Sequence, residues 1–150
     1  MVPVQTHQPI LLVEDSAEDR MATLRAFKKA GLANPVFNCV SGDDALDFLY
    51  QREAYTDTTK APRPAVILLD LNMPGTDGRE VLTQIKNDEN LKTIPVIVLT
   101  TSSDIRDIES CYSSGANSYV TKPVDLPGFL VAIQRLKDWW FEVVILPPAK

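Results

Sequence analysis

Long apolar runs are missing from this 150-residue chain. A helix that crosses a membrane needs about 18 or more consecutive apolar residues, and no segment supplies them, so no span is expected. The first residues, Met1 to Pro9, are polar and lack the apolar centre of an export signal, and a cytoplasmic protein is expected. An excess of basic charge is missing too. The net charge is −5, whereas broad nucleic-acid binding needs a basic face. Histidine occurs once, as His7 in the N-terminal tail; a lone imidazole without Cys or His neighbours is assigned no metal or catalytic role. Cysteine occurs twice, as Cys39 and Cys111, each in an apolar or helical run. Two distant thiols in a chain without an export signal are expected to be reduced packing residues. A glycine-rich turn after the first apolar run is also absent: Glu14-Asp15-Ser16-Ala17-Glu18-Asp19 stands there. Without a metal that turn repels phosphate, which weighs against a nucleotide- or flavin-binding domain.

What is present fits one globular domain with its own core. Apolar strand candidates are Ile10–Glu14, Val36–Val40, Ala65–Asp70, Ile94–Thr100 and Ser118–Thr121. Three read as near-continuous apolar runs, as expected of strands buried on both faces of a parallel sheet. Helical punctuation lies between them. Ser16 and Ser41 each precede an acid three positions on, the pattern of a helix N-cap. Gly31 and Gly115 stand where the first and fourth helices should end. The last helix starts near Asp125, with Leu126, Phe129, Leu130, Ile133, Leu136 and Trp140 at helical spacing. This alternation predicts a doubly wound α/β domain, a flavodoxin-like (βα)5 three-layer sandwich with parallel strand order 2-1-3-4-5. The expected division is an N-terminal tail over 1–8, the domain over 9–140 and a C-terminal extension over 141–150. Glu53 to Pro64 interrupts the rhythm as a long helix-to-strand loop. It is expected to be a surface insertion that helps select a partner kinase, or else a passive mobile loop.

Parallel strands all end at one edge, and ligands of such sheets bind beyond that edge at the switch point between strands one and three. Strand one ends at Glu14-Asp15, strand three at Asp70 and strand four at Thr100, and strand five leads to Lys122-Pro123. Two carboxylates about 4 Å apart repel by about 4 kcal/mol at an effective dielectric of about 20. Either one takes a proton or a cation sits among them, and hard oxygen donors with room for water suit Mg²⁺. A divalent ion beside Asp70 attracts phosphate, Lys122 adds a second positive charge, and the Thr100 hydroxyl can donate to a phosphoryl oxygen. Positioning and charge neutralisation are what phosphoryl transfer chiefly needs.

The stretch from Leu68 to Gly78, Leu-Leu-Asp-Leu-Asn-Met-Pro-Gly-Thr-Asp-Gly, resembles the phosphoacceptor segment of response-regulator receiver domains. Val-Glu-Asp-Ser before the first helix resembles their acidic pair. Val-Leu-Thr-Thr-Ser resembles their switch-hydroxyl strand, and Gly-Ala-Asn-Ser-Tyr-Val-Thr-Lys-Pro their fifth strand. The match runs from about Pro9 to Trp140, with the motifs in order. The long central loop and extended end resemble the small regulators that partner cyanobacterial phytochromes. The resemblance implies that Asp70 becomes the aspartyl phosphate, accepting the group from a sensor histidine kinase, and the narrower resemblance implies a phytochrome as that kinase. It implies Mg²⁺ on the carboxylates of Asp15 and Asp70 and the backbone carbonyl of Asn72, with Glu14 acting largely through a bound water. Lys122 contacts the phosphoryl group, Thr100 moves to hydrogen-bond it, and Tyr119 turns inward behind Thr100. A cis Lys122-Pro123 bond is expected to aim the lysine. The output is expected to be an unidentified effector protein that reads the face made by helix four, strand five and helix five. The protein is expected to assist its own phosphorylation and slow dephosphorylation without being an enzyme in the usual sense.

Taken singly, these residues have plainer readings. Asp15 or Ser16 can simply cap a helix, Thr100 can end a strand, Tyr119 can be a half-buried strand aromatic, and Lys122 can be solvated. Gly75, Asp77 and Gly78 can form only a turn and a cap. Convergence at one edge is what sets the plainer readings aside. A haloacid-dehalogenase-type phosphatase would want an aspartate two positions after Asp70, where Asn72 stands. A degenerate receiver would have lost an acid or the lysine. Finally, Trp139, Trp140, Phe141, Val143 and Val144, with Ile145 and Leu146 beyond, exceed what a small core readily buries. They are expected to form a homodimer face continuous with helix five, or else to fold back over their own domain.

Overall fold

The computed structural model describes residues 8–73 and 75–148. His7, nearly all of the 1–8 tail and Pro74 of the phosphoacceptor-like segment lie outside them. The strands are β1 (Ile10–Val13), β2 (Val36–Cys39), β3 (Val66–Leu69), β4 (Val96–Thr100) and β5 (Ser118–Thr121). The helices are α1 (Ala17–Lys29), α2 (Gly42–Tyr50), α3 (Gly78–Asn87), α4 (Ile105–Ser113) and α5 (Leu126–Asp138). All strand pairs are parallel, and the order is β2-β1-β3-β4-β5. The expected flavodoxin-like topology is the observed one.

Side-chain alternation divides the core in two. Leu11, Val13, Ile67, Leu69, Val96 and Val98 pack on one face under α2, α3 and α4, with Phe48, Val81, Leu82, Ile85 and Cys111. Ile10, Leu12, Val66, Leu68, Ile97 and Leu99 point the other way, against Phe27, Phe129, Ile133 and Leu136 of α1 and α5. Both faces are covered, so β1 and β3 are buried along their whole length. Each such Leu or Ile contributes about 1.5–3 kcal/mol of burial, and truncation to Ala costs about 2–5 kcal/mol. The helix ends follow the predicted punctuation. Ser16 Oγ accepts from Asp19 N–H and Ser41 Oγ from Asp44 N–H. Gly115 ends α4 at φ +106, a left-handed conformation that favours glycine. Cys39 and Cys111 are buried and unbridged, as expected of packing thiols.

The long loop is pinned. It holds a 3-10 turn at Glu53–Tyr55. The Tyr55 hydroxyl donates to Asp44 Oδ1 at 2.6 Å, and its ring meets Phe48 edge-on at 5.2 Å. Ala61 is fully buried, and its carbonyl accepts from Gln51 Nε2 at 2.8 Å.

The C-terminal residues corrected the expectation of one contiguous dimer face. A π-helical turn over Trp139–Val143 continues α5, and Phe141 turns into the core, 5% exposed, with its ring edge-on to Phe27 at 6.2 Å. Leu146 is buried beside it, and Trp140 and Val144 pack partly against the same cluster. The i→i+5 bond from Val144 N–H to the Trp139 carbonyl, 2.8 Å, shifts the helical phase, which sends alternate residues inward. Only Trp139 at 58% and Val143 at 60% of the five expected residues remain exposed, with Ile145 beyond them.

Candidate functional site

Sheet register builds the site. Val13 pairs with Leu69, so Glu14 and Asp70 leave β1 and β3 at the same height, and the Asp70 N–H still donates to the Val13 carbonyl at 3.1 Å. Thr100 pairs with Thr121, and the Lys122 N–H donates to the Thr100 carbonyl at 2.7 Å. The four polar residues therefore converge because consecutive apolar strands end in step. Behind Asp70 the chain turns sharply into α3. A Cβ at Gly78 would collide with the Asp70 carbonyl oxygen, so only glycine lets the helix start so close to the acid. Asp77 caps that helix by accepting from the Arg79 and Glu80 N–H groups.

Glu14, Asp15 and Asp70 each offer a carboxylate oxygen, and these lie within 4.8 Å of one another. Asp15 is exposed, while Glu14 and Asp70 are buried. Hence the cluster opens to solvent on one side, with charge concentrated on the other. Burial raises the Glu14 carboxyl to about 7; the Lys122 hydrogen bond opposes this and the Asp70 charge adds to it. A divalent cation removes that conflict, and an oxygen-only donor set fits a hard ion. The Asn72 N–H donates to Asp70 Oδ1 at 3.3 Å, which orients that carboxylate.

Lys122 is almost fully buried, and its ammonium meets three carboxylates: Glu14 at 2.5 Å, Asp19 at 3.0 Å and Asp70 at 3.6 Å. Burial would lower this ammonium, but its bond to Glu14, the Asp70 charge and the bond to Asp19 outweigh burial and raise it. It reaches the acids with a trans Lys122-Pro123 bond: no cis peptide occurs among the described residues. The expected cis-proline at Pro123 is therefore corrected. Cis and trans differ by only about 0.5–1 kcal/mol at X-Pro bonds, and the three ion pairs suffice to aim the flexible lysine stem.

Thr100 is fully buried. Its Oγ1 accepts long hydrogen bonds of 3.4 Å from Asn72 Nδ2 and from the Ser102 N–H. Tyr119 is half-buried against the α4 side of the core, and its hydroxyl donates to the Ser102 carbonyl at 2.9 Å. Ser102 thus joins the hydroxyl strand to the β5 aromatic. It also donates to Asp107 Oδ2 at 2.6 Å, and Asp107 takes a two-pronged bond from Arg79, 2.8 Å on each oxygen. Sequence reasoning missed Asp19, Ser102, Arg79 and Asp107. Asp19 had a visible signal, an acid at the third helical position, but it read as a capping feature. The Arg79–Asp107 pair spans 28 residues without any local pattern to reveal it.

Comparison with known proteins places this arrangement. Residues 10–134 match the response regulator receiver domain. The chain is 41% identical over 140 residues to the response regulator Rcp1 of Synechocystis, covering 93% of each chain. It is 39% identical over 131 residues to a probable methanogenesis regulatory protein, FilR2, of Methanothrix harundinacea, covering 87% of this chain and 82% of that one. Among solved structures, Mn²⁺-bound Rcp1 superposes with a TM-score of 0.89 at 40% identity, covering 94% of this chain and 99% of that one. The phosphorylated cyanobacterial phytochrome response regulator RcpA superposes with the same TM-score of 0.89 at 37% identity, covering 95% and 99%. With the fold, the acidic cluster and the buried lysine in agreement, the chain belongs to the response regulator receiver domain family, whose members are phosphorylated on an aspartate in two-component signalling.

Proposed function

We propose that Asp70 accepts a phosphoryl group from a phosphohistidine of a sensor histidine kinase, a phytochrome by the likeness to RcpA, and that the switched surface is read by a separate effector protein. One observation carries the proposal: the Asp70 carboxylate lies 3.6 Å from the Lys122 ammonium and shares one ligand-sized space with the carboxylates of Glu14 and Asp15. Mg²⁺ is the proposed ion, held by Asp15, Asp70, the Asn72 backbone carbonyl and Glu14. When bound, it neutralises the carboxylates and the incoming phosphoryl oxygens. The likeness to Mn²⁺-bound Rcp1 and to phosphorylated, phytochrome-linked RcpA supports both the ion class and the partner.

In the transfer an Asp70 carboxylate oxygen forms the new bond to phosphorus while the bond from phosphorus to the histidine nitrogen breaks, the electron pair leaving with the imidazole. Lys122 supplies a fixed positive charge to a phosphoryl oxygen, and its burial strengthens that charge. The Thr100 hydroxyl then gains a charged acceptor. Because Ser102 ties Thr100 to both Tyr119 and Asp107, movement at Thr100 passes to the β4–α4 connection and to the α4–β5–α5 face. A cytoplasmic setting suits this chemistry, and no helix among the described residues is long and apolar enough to cross a membrane.

The test is labelling by radioactive acetyl phosphate. Wild-type protein should take up label only with Mg²⁺, and Asp70→Asn should take up none while remaining folded. Full labelling of Asp70→Asn would overturn the assignment.

The exposed Trp139, Val143 and Ile145 support a weaker, separable reading, a homodimer through the outer side of the C-terminal segment. Sedimentation equilibrium at micromolar concentration should show a dimer that Trp139→Glu with Val143→Glu disperses. A strict monomer with and without phosphoryl group would remove this reading and leave the phosphoacceptor untouched.

A further inference from the structure

An ammonium has three N–H donors; Lys122 gives one to Glu14 at 2.5 Å and one to Asp19 at 3.0 Å, and lies 3.6 Å from Asp70. Glu14 and Asp70 belong to the cluster that would hold the metal, whereas Asp19 is not among the acids sharing that space. Asp19 approaches Lys122 from α1, 3.0 Å from its ammonium. Its backbone is fixed at both ends: the N–H donates to Ser16 Oγ at 3.2 Å, and the carbonyl accepts from Thr23 Oγ1 at 2.8 Å. Thr23 is itself buried. An acid at this third helical position ordinarily reaches back to the capping residue's N–H. Here the Ser16 N–H donates to Glu14 Oε2 at 3.2 Å instead, and the Asp19 carboxylate is left to the lysine.

We propose that Asp19 is a positioning residue for phosphoryl transfer, the anchor on α1 that keeps the Lys122 ammonium aimed at the Asp70 carboxylate. Glu14 cannot fill this role alone, because one of its oxygens takes Lys122, the other takes the Ser16 N–H, and its carboxylate also belongs to the acidic cluster. Among the described residues the Asp19 carboxylate has Lys122 as its one hydrogen-bond partner. Without it the Lys122 ammonium keeps one hydrogen bond, to Glu14, beside the longer ion pair to Asp70, and the donor that should meet the phosphoryl oxygen loses its hold on α1.

The inference rests on Asp70 as the acceptor, which the loss of label in Asp70→Asn tests separately. The deciding experiment is a double-mutant cycle on the initial rate of labelling by acetyl phosphate, with Asp19→Ala, Lys122→Ala and both together. Asp19→Ala should slow labelling roughly tenfold, the scale of one charge-assisted hydrogen bond. In the Lys122→Ala background the same change should do nothing. Mg²⁺ affinity of the unphosphorylated Asp19→Ala protein, followed by titration, should match wild type, and Asp19→Glu should recover part of the rate. Independent, multiplying effects in the cycle would show that Asp19 acts otherwise than through Lys122 and would overturn the proposal, as would an unchanged rate in Asp19→Ala. Should Asp19→Ala fold poorly, Asp19→Asn keeps the helix start and gives the same cycle.

Discussion

Helices α1 and α2 open on closely similar residues, Ser16-Ala17-Glu18-Asp19 and Ser41-Gly42-Asp43-Asp44, and put them to different use. In each, the serine Oγ caps the N–H three positions on, at 3.2 Å and 3.1 Å. The acid at that third position then parts company. Asp44 accepts from the Val40 N–H at 3.1 Å and from the Tyr55 hydroxyl at 2.6 Å, fastening the strand end and the long loop. Asp19 instead crosses to Lys122, 103 residues along the chain. The strand before each helix makes the difference. β1 delivers Glu14, whose carboxylate occupies the Ser16 N–H, while β2 delivers Val40, which has no carboxylate to offer. One local motif is thus architectural in α2, where its acid fastens nearby donors, and faces the site in α1, where its acid meets Lys122.

The strongest challenge to this contrast is removal of the shared lysine. Lys122→Ala should cut the labelling rate by about 100-fold or more, the scale seen when one fixed donor to a developing charge is lost. A rate within a few-fold of wild type would mean that the α1 side is as architectural as the α2 side. The reciprocal substitution is Asp44→Ala. It strands the Tyr55 hydroxyl and the Val40 N–H, so denaturant unfolding should show a loss of about 1–3 kcal/mol, while phosphorylated yield and labelling rate stay near wild type. A large fall in labelling without loss of stability would erase the distinction between the two helices.

A smaller effect is expected at the start of α4, where a third acid serves a cation. Hydrogen bonds from Arg79 and then Ser102 hold the Asp107 carboxyl down to about 2. Its folded-state value lies below the ordinary one, so its stabilising contribution is fully present above about 4 and fades as pH falls toward 2. With the pair partly exposed, Asp107→Asn should cost up to about 1 kcal/mol near neutrality. The gap between wild type and variant in unfolding free energy should narrow as pH falls from 4 toward 2. A gap that stays constant across that window would show that the carboxylate charge contributes nothing.

These contrasts mark what a sequence can and cannot disclose. The sheet was legible because β1, β3 and β4 are buried on both faces and therefore read as unbroken apolar runs. The site was legible because Glu14, Asp15, Asp70 and Thr100 sit just where such runs stop, Lys122 follows the more polar β5, and parallel strands stop at one edge. Asp19 was hidden because its cheaper, local explanation as a capping acid was complete in itself. The Arg79–Asp107 pair was hidden because it depends on the packing of α3 beside α4, which no short-range spacing encodes. The trans Lys122-Pro123 bond and the inward turn of Phe141 share a cause. Neither is marked by a local pattern: X-Pro isomers lie close in energy, and Phe141 is carried inward by the π-helical turn that meets Phe27.

The central claim, a phosphoryl group on the Asp70 carboxylate, is tested most directly by chemical trapping. Borohydride reduces an aspartyl phosphate to homoserine and leaves free aspartate intact. Protein treated with Mg²⁺ and acetyl phosphate, then reduced, digested and sequenced by mass spectrometry, should carry homoserine in place of the aspartate at position 70 and nowhere else, and omission of Mg²⁺ should abolish it. Homoserine at another aspartate, with position 70 unmodified, would contradict the account.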